Sequence, residues 1–159
     1  LNGHGGNEEC VRLAARNAAL AHPVAVGAAS YWTLARDSLA AFAQEHRLLR
    51  VPGHAGQFET SLMLELCGEL VRLDRIPAGA RRTAATSGRI GTWERPLIER
   101  HSAWKDMDGY SDDPFAARRE YGKALLELIA DDVAKALIHF HHEGSEENRG
   151  GQRQAGNEA

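Results

Sequence analysis

The chain has 159 residues, 43% hydrophobic but only 6% aromatic, and 19 Lys and Arg against 22 Asp and Glu give a formal charge of −3. That length suits one domain with a sizeable core, and the charge excludes a general basic surface for nucleic acid or anionic lipid. No apolar run reaches the roughly 18 residues of a membrane span and nothing resembles a charged leader before an apolar core, so the expectation is a soluble, cytoplasmic chain. Cys10 and Cys67 stand far apart in apolar helical patterns and are expected to be buried free thiols of a reducing compartment.

The first element, "NEECVRLAARNAALA", places Val11, Leu13, Ala14, Ala18 and Ala21 at helical spacing, with Asn7 as N-cap and Glu8 and Glu9 in the first turn. His22 and Pro23 end it. "VAVGAASYW", from Val24 to Trp32, is almost continuously apolar and small, the pattern of a strand buried on both faces. A helix leading into such a strand predicts an α/β fold. Ala35 to His46 returns to helical periodicity, and "LLRVPGHAG" reads as a short extended piece breaking into a Gly-Pro loop. A long helix is predicted from Gln57 to Leu73, with Leu62, Met63, Leu66 and Leu70 on its apolar stripe, closed by Pro77 and Gly79. Periodicity fades between Ala80 and Asp113, a long functional or interfacial loop. A second long helix follows from Pro114 to Phe140, carrying Tyr121, Leu125, Leu128, Val133 and Leu137. Residues 1–142 form the domain, and the polar, Gly-rich segment 143–159 is expected to be a disordered tail.

Two histidine turns carry the chemistry. In "NGHGGN" the glycines allow close backbone approach, and the following helix amides suit an anion or polarised oxygen. The helix dipole favours a neutral His4, able to bind a metal through one nitrogen. Gly5, Gly6 and Asn7 complete that mouth. A lone histidine in such a turn is, however, more often structural. In "GHAGQFETS", Gly53, His54 and Gly56 again precede a helix, now with Glu59 in its first turn. His54 could move protons while Glu59 holds a metal, a water or a substrate amide. The plainer alternative makes Glu59 a helix-dipole residue and Gly56 a cap. Both turns are expected at the carboxyl edge of a parallel sheet, where α/β folds bind ligands.

The ordered pair "NGHGGN" and "GHAGQFETSLML" resembles the creatininase family of metal-dependent amidohydrolases, and "DGYSDDPFAARREYGKALLELI" is similar to that family's closing pattern. The resemblance implies a three-layer α/β/α sandwich around a mainly parallel sheet, commonly assembled as homo-oligomers, that hydrolyses C–N bonds of small cyclic or linear amides. It implies that His4 is the metal-binding histidine of the glycine motif and His54 the proton-shuttling pocket histidine. Glu59 is then the acidic residue at or beside the metal, a divalent ion, Zn before Mn or Fe. The family's remaining ligands, an earlier Glu-x-His and an Asp, are expected upstream of Leu1, so the chain is read as the C-terminal portion of an enzyme with half a metal site.

Relatives acting on creatinine carry a carboxylate two residues after the motif histidine, where this chain has Gly6, and an aromatic and an acid where Arg50 and Val51 stand. The resemblance therefore points away from creatinine, toward formamides of pyrimidine intermediates or small peptides. The competing reading is a non-catalytic binding or oligomerisation module on the same fold. A phosphate cradle at "NGHGGN" lacks the GxGxxG and Walker Lys that would support it. His139, His141 and His142 read as a solvated helix end, and Arg81, Arg82 and Arg89 as solvated loop cations. Trp93, Trp104 and Tyr110 suit an interface or a pocket wall.

Overall fold

The computed structural model describes residues 1–76 and 109–155, with side chains described as far as Glu143. Its α-helices are α1 (Glu8–Ala21), α2 (Tyr31–Leu34), α3 (Arg36–His46), α4 (Gln57–Cys67) and α5 (Arg119–Ala155), joined by short 3₁₀ turns. Among the described residues there is no β-strand, only an isolated parallel bridge between Asn2 and Ser30. The expected α/β/α sandwich is therefore corrected to a helical architecture.

The correction falls on "VAVGAASYW". A strand needs a neighbour to take its amides and carbonyls, and periodicity within a segment cannot show whether one exists. Here pairing is limited to Asn2, whose N–H donates to the Ala29 carbonyl at 2.8 Å and whose carbonyl accepts from Tyr31 at 3.1 Å. Val24 and Val26 are exposed, and from Tyr31 the segment turns helical.

Two compact units are present, Leu1–Arg36 with Ile129–Ala159, and Asp37–Leu128. In the first, α1 follows its predicted bounds, yet none of its residues is buried, and Leu13 and Leu20 face solvent. Cys10 is exposed and Cys67 half-buried; both are free thiols, but neither is buried as expected. Among the described side chains of this unit, Ala35 and the polar pair Asn2 and Ser30 are buried. His139, at the predicted helix end, is exposed and 3.1 Å from Glu143 one turn on.

In the second unit the buried apolar residues among those described are Leu39, Phe42, Leu48, Phe58, Tyr110 and Leu125. Phe42 packs edge-on against Tyr121 with ring centroids 5.8 Å apart, and His46 joins them 4.8 Å from Tyr121. α4 stops at Cys67 rather than Leu73, because the chain leaves helical geometry there and continues as 3₁₀ turns at Gly68–Leu70 and Leu73–Arg75. Glycine's high backbone entropy makes Gly68 a natural end. After Tyr110, a 3₁₀ turn at Pro114–Ala116 is capped by Asp113, whose carboxylate accepts the Phe115 N–H at 2.9 Å. α5 begins only at Arg119 and runs past the expected Phe140. The expected closing residues Pro77 and Gly79 lie outside the described residues, as do most of the Ala80–Asp113 loop, Arg81, Arg82, Arg89, Trp93 and Trp104. No helix among the described residues is long and apolar enough to cross a membrane.

Within this unit α4 meets α5 at Gly122, where an added Cβ would stand 1.9 Å from the Ser61 carbonyl oxygen. The crossing is closed by an ion pair, Arg119 Nε to Glu65 Oε2 at 2.8 Å, which raises the arginine's pKa through that hydrogen bond. Gly122→Ala is expected to force the helices apart and cost about 1–3 kcal/mol of stability, as overpacking does. Chemical denaturation would show this as a lowered midpoint.

Candidate functional site

Each histidine turn is shaped by a buried polar residue that is distant in sequence or flanks it. In the first unit, Asn2 is 5% exposed. Its side chain donates to the His4 carbonyl at 2.9 Å and to Ser30 Oγ at 2.9 Å, while its oxygen accepts the His4 N–H at 3.2 Å. Ser30 Oγ in turn donates a hydrogen bond to Glu8 Oε1 at 2.7 Å, tying the start of α1 to the same network. A small cleft beside it is lined by Asn2, Glu8, Val11, Arg12, Ala28 and Ser30. Gly5, Gly6 and Asn7 form an exposed 3₁₀ turn leading into α1.

His4 itself caps that turn. Its Nδ1 accepts the Gly6 N–H at 3.2 Å. A neutral imidazole whose Nδ1 accepts carries its proton on Nε2, so neither nitrogen then presents a lone pair to a metal; metal-bound histidines show the reverse pattern, donating from the second nitrogen. Among the described residues no group of three or more His, Cys, Asp or Glu could hold a metal ion. The donors among the described residues therefore do not fit a complete metal centre.

In the second unit, the loop 53–56 leads into α4 with its backbone in a demanding conformation. Gly53 has φ 71°, and Ala55 has φ 45°, a region that costs a residue with a Cβ about 1–2 kcal/mol. The surroundings compensate. Ser111 grips His54 from both sides: its N–H donates to the His54 carbonyl at 2.7 Å and its Oγ accepts the His54 N–H at 2.8 Å. Ser111 Oγ in turn donates to Asp112 Oδ1 at 2.8 Å. The other oxygen, Asp112 Oδ2, accepts the Gln57 N–H at 3.1 Å, on the first residue of α4. Ser111 and Asp112 are 0% and 1% exposed. Gly56 makes room for that carboxylate, since a Cβ there would lie 1.8 Å from Asp112 Oδ1.

Glu59 reaches back along the first turn, its Oε2 accepting the Ala55 N–H at 2.5 Å. The same segment is anchored further on by Gln57 Nε2 to the Ala116 carbonyl at 3.1 Å and by Ser61 Oγ, which accepts the Arg118 N–H at 3.0 Å. His54 and Glu59 thus belong to one turn of the second unit, and His4 to the first unit. Ser111 and Asp112 were not among the residues singled out by sequence, although both lie in the quoted "SDDPF". The available signal was the doubled aspartate before proline, where Asp113 alone suffices to cap the Pro114 turn.

The creatininase family model, described as creatinine amidohydrolase, matches residues 1–137 of the chain. No curated protein and no solved structure matches it.

The Asp112 contacts generate a double-mutant test. Asp112→Ala strands the Gln57 amide and the Ser111 hydroxyl, at about 1–3 kcal/mol for a buried unsatisfied group, and Gly56→Ala is destabilising through its clash. The double variant has room for the new methyl where the carboxylate was. Its total destabilisation, read from denaturant midpoints, is expected to fall below the sum of the singles by about 0.5–3 kcal/mol.

Proposed function

Because the chain belongs to the creatininase family, as the match over residues 1–137 shows, we propose that it is an amidohydrolase cleaving a C–N bond in a cyclic or linear amide other than creatinine. The family match is the observation that carries this reading. Support for His54 as its proton-transferring group comes from the rigid loop that presents it, with both backbone polar groups engaged by Ser111. In this reading His54 gives a proton to the departing nitrogen, which turns a poor amide leaving group into a neutral amine. Glu59 shapes the loop through its bond to Ala55. Gly6, standing where creatinine-acting relatives place a carboxylate, supports a different amide. A divalent ion, zinc before manganese or iron, belongs to the proposal as the family's usual cofactor. Its ligands would come largely from outside the described residues, and His4 would serve only after releasing the Gly6 amide. The cytoplasm is the compartment proposed.

A second reading, an assembly module, is favoured by one observation: Leu13, Leu20, Val24, Leu137 and Ile138 of the first unit are all exposed. Exposed apolar side chains in such number suit a homo-oligomer, whether or not the chain is catalytic. Sedimentation equilibrium is expected to show self-association at micromolar concentration; a monodisperse monomer would remove the oligomer.

The enzyme reading is tested by incubating the protein, alone and with a segment carrying Glu-x-His and an Asp joined upstream, with creatinine, N-formyl amides and small cyclic amides, Zn²⁺ being supplied, and following amine release by mass spectrometry. With those ligands in place, at least one amide other than creatinine is expected to turn over. His54→Ala is expected to lower kcat by about 100-fold or more with the unfolding midpoint retained. If nothing in the panel is hydrolysed, the hydrolase reading is wrong.

A further inference from the structure

We infer that Ser111, fixed by Asp112, is the positioning residue that sets where the His54 imidazole stands for proton transfer. The catalytic half of this inference rests on the amidohydrolase reading; the positional half rests on geometry alone.

Three observations converge. First, His54 is flanked by Gly53 at φ 71° and Ala55 at φ 45°, so the backbone that carries the ring is in a conformation it would leave if its contacts were lost. Second, both polar backbone groups of His54 are taken by the same residue, one by the Ser111 amide and one by the Ser111 hydroxyl. A residue bonded through both N–H and C=O cannot rotate its peptide planes without breaking one of the two, so the Cα–Cβ direction of His54 is set by Ser111. Third, the hydroxyl has no rotational freedom left, because its proton is committed to Asp112 Oδ1 at 2.8 Å and a lone pair therefore faces His54. The carboxylate is itself pinned by the Gln57 amide at the start of α4. The line of force runs from the helix terminus through Asp112 and Ser111 to the histidine backbone, and every residue on it except His54 is buried.

A serine that only fills space would leave the ring where it is when trimmed. A positioning serine would not. A displacement of the order of an ångström at a reacting group costs about 100-fold in rate while leaving substrate binding largely intact. Asp112 acts one step further out, and Glu59 restrains the neighbouring Ala55 amide, so neither replaces the Ser111 contact.

The test uses the full chain, with kcat and KM on an amide that the parent protein hydrolyses, and with the His54 amide and ring signals followed by NMR. Ser111→Ala is expected to lower kcat by about 10–100-fold with KM within about two-fold, and to shift or broaden the His54 signals. Ser111→Thr, which keeps the hydroxyl, should restore most of kcat. Should Ser111→Ala fail to fold, Asp112→Asn takes its place: it keeps the shape and one acceptor, and its kcat should fall with the His54 signals moved. Unchanged kcat and unchanged His54 signals overturn the inference. So does a loss of kcat that tracks the loss of folded protein and that threonine does not restore. If the parent protein hydrolyses no amide, the enzyme reading fails separately. The NMR comparison then decides the positional claim, moved His54 signals in Ser111→Ala upholding it and unmoved ones ending it.

Discussion

The second unit depends on one buried carboxylate. Asp112 is 1% exposed, and a carboxyl group so far from water is costly unless the polar atoms it turns inward are hydrogen-bonded. The start of α4 supplies that environment: unsatisfied amides and the positive end of the helix dipole. Gln57 N–H and Ser111 Oγ–H both point at the carboxylate. A side chain at position 56 would occupy the space it needs, so Gly56 follows from Asp112 rather than from any need for flexibility. Once the carboxylate is seated, Ser111 lies against His54, and the loop between Gly53 and Gly56 has its shape.

The rest of the unit extends the same contact. Gln57 bonds the Ala116 carbonyl, Ser61 accepts from Arg118, and Gly122 lets α5 lie against the Ser61 backbone. Segments more than fifty residues apart in sequence are thus stitched along one side of α4 by polar groups, while Phe58 and Leu125 bury the apolar side. The hydrogen bonds fix register, and the apolar contacts supply most of the driving force. In the first unit, Asn2 takes the analogous part for His4 with a single amide side chain.

What could be read from the sequence was what is local. α1 begins at Glu8 and ends at Ala21 because two acidic residues and a His-Pro pair mark its ends, and α3 and the start of α4 follow equally local signals. The strand at Val24–Trp32 was misread because apolarity reports what a segment could bury, whereas a strand exists only with a neighbour. In their plainer reading Glu59 is a helix-dipole residue and Gly56 a cap, and Glu59 does stand in the first turn of α4 with Gly56 at its N-cap; the Glu59 bond to the Ala55 amide and the space Gly56 leaves for Asp112 depend on the fold and were not legible. Asp112 was not legible, since two adjacent aspartates before a proline look alike. Only the fold sends one to the Phe115 amide and the other to the interior. The early histidine turn was recognisable as a motif, but the use of its ring was not.

The two histidine turns look alike as strings and differ as devices. His4 is exposed and shapes its own turn with its ring, Nδ1 taking the Gly6 amide. To engage anything else through that nitrogen it must give up the contact that forms the turn, so binding there would be coupled to loosening residues 5–7. The turn around His54 is shaped by other residues: Ser111 on the backbone, Asp112 behind it, Glu59 on the next amide. A reacting group is best placed by neighbours whose own rotamers are locked, because its movement during proton transfer then leaves the scaffold intact. By that criterion the turn around His54 suits the proposed proton-transfer role, whereas the His4 ring is bound up with its own turn through the Gly6 amide.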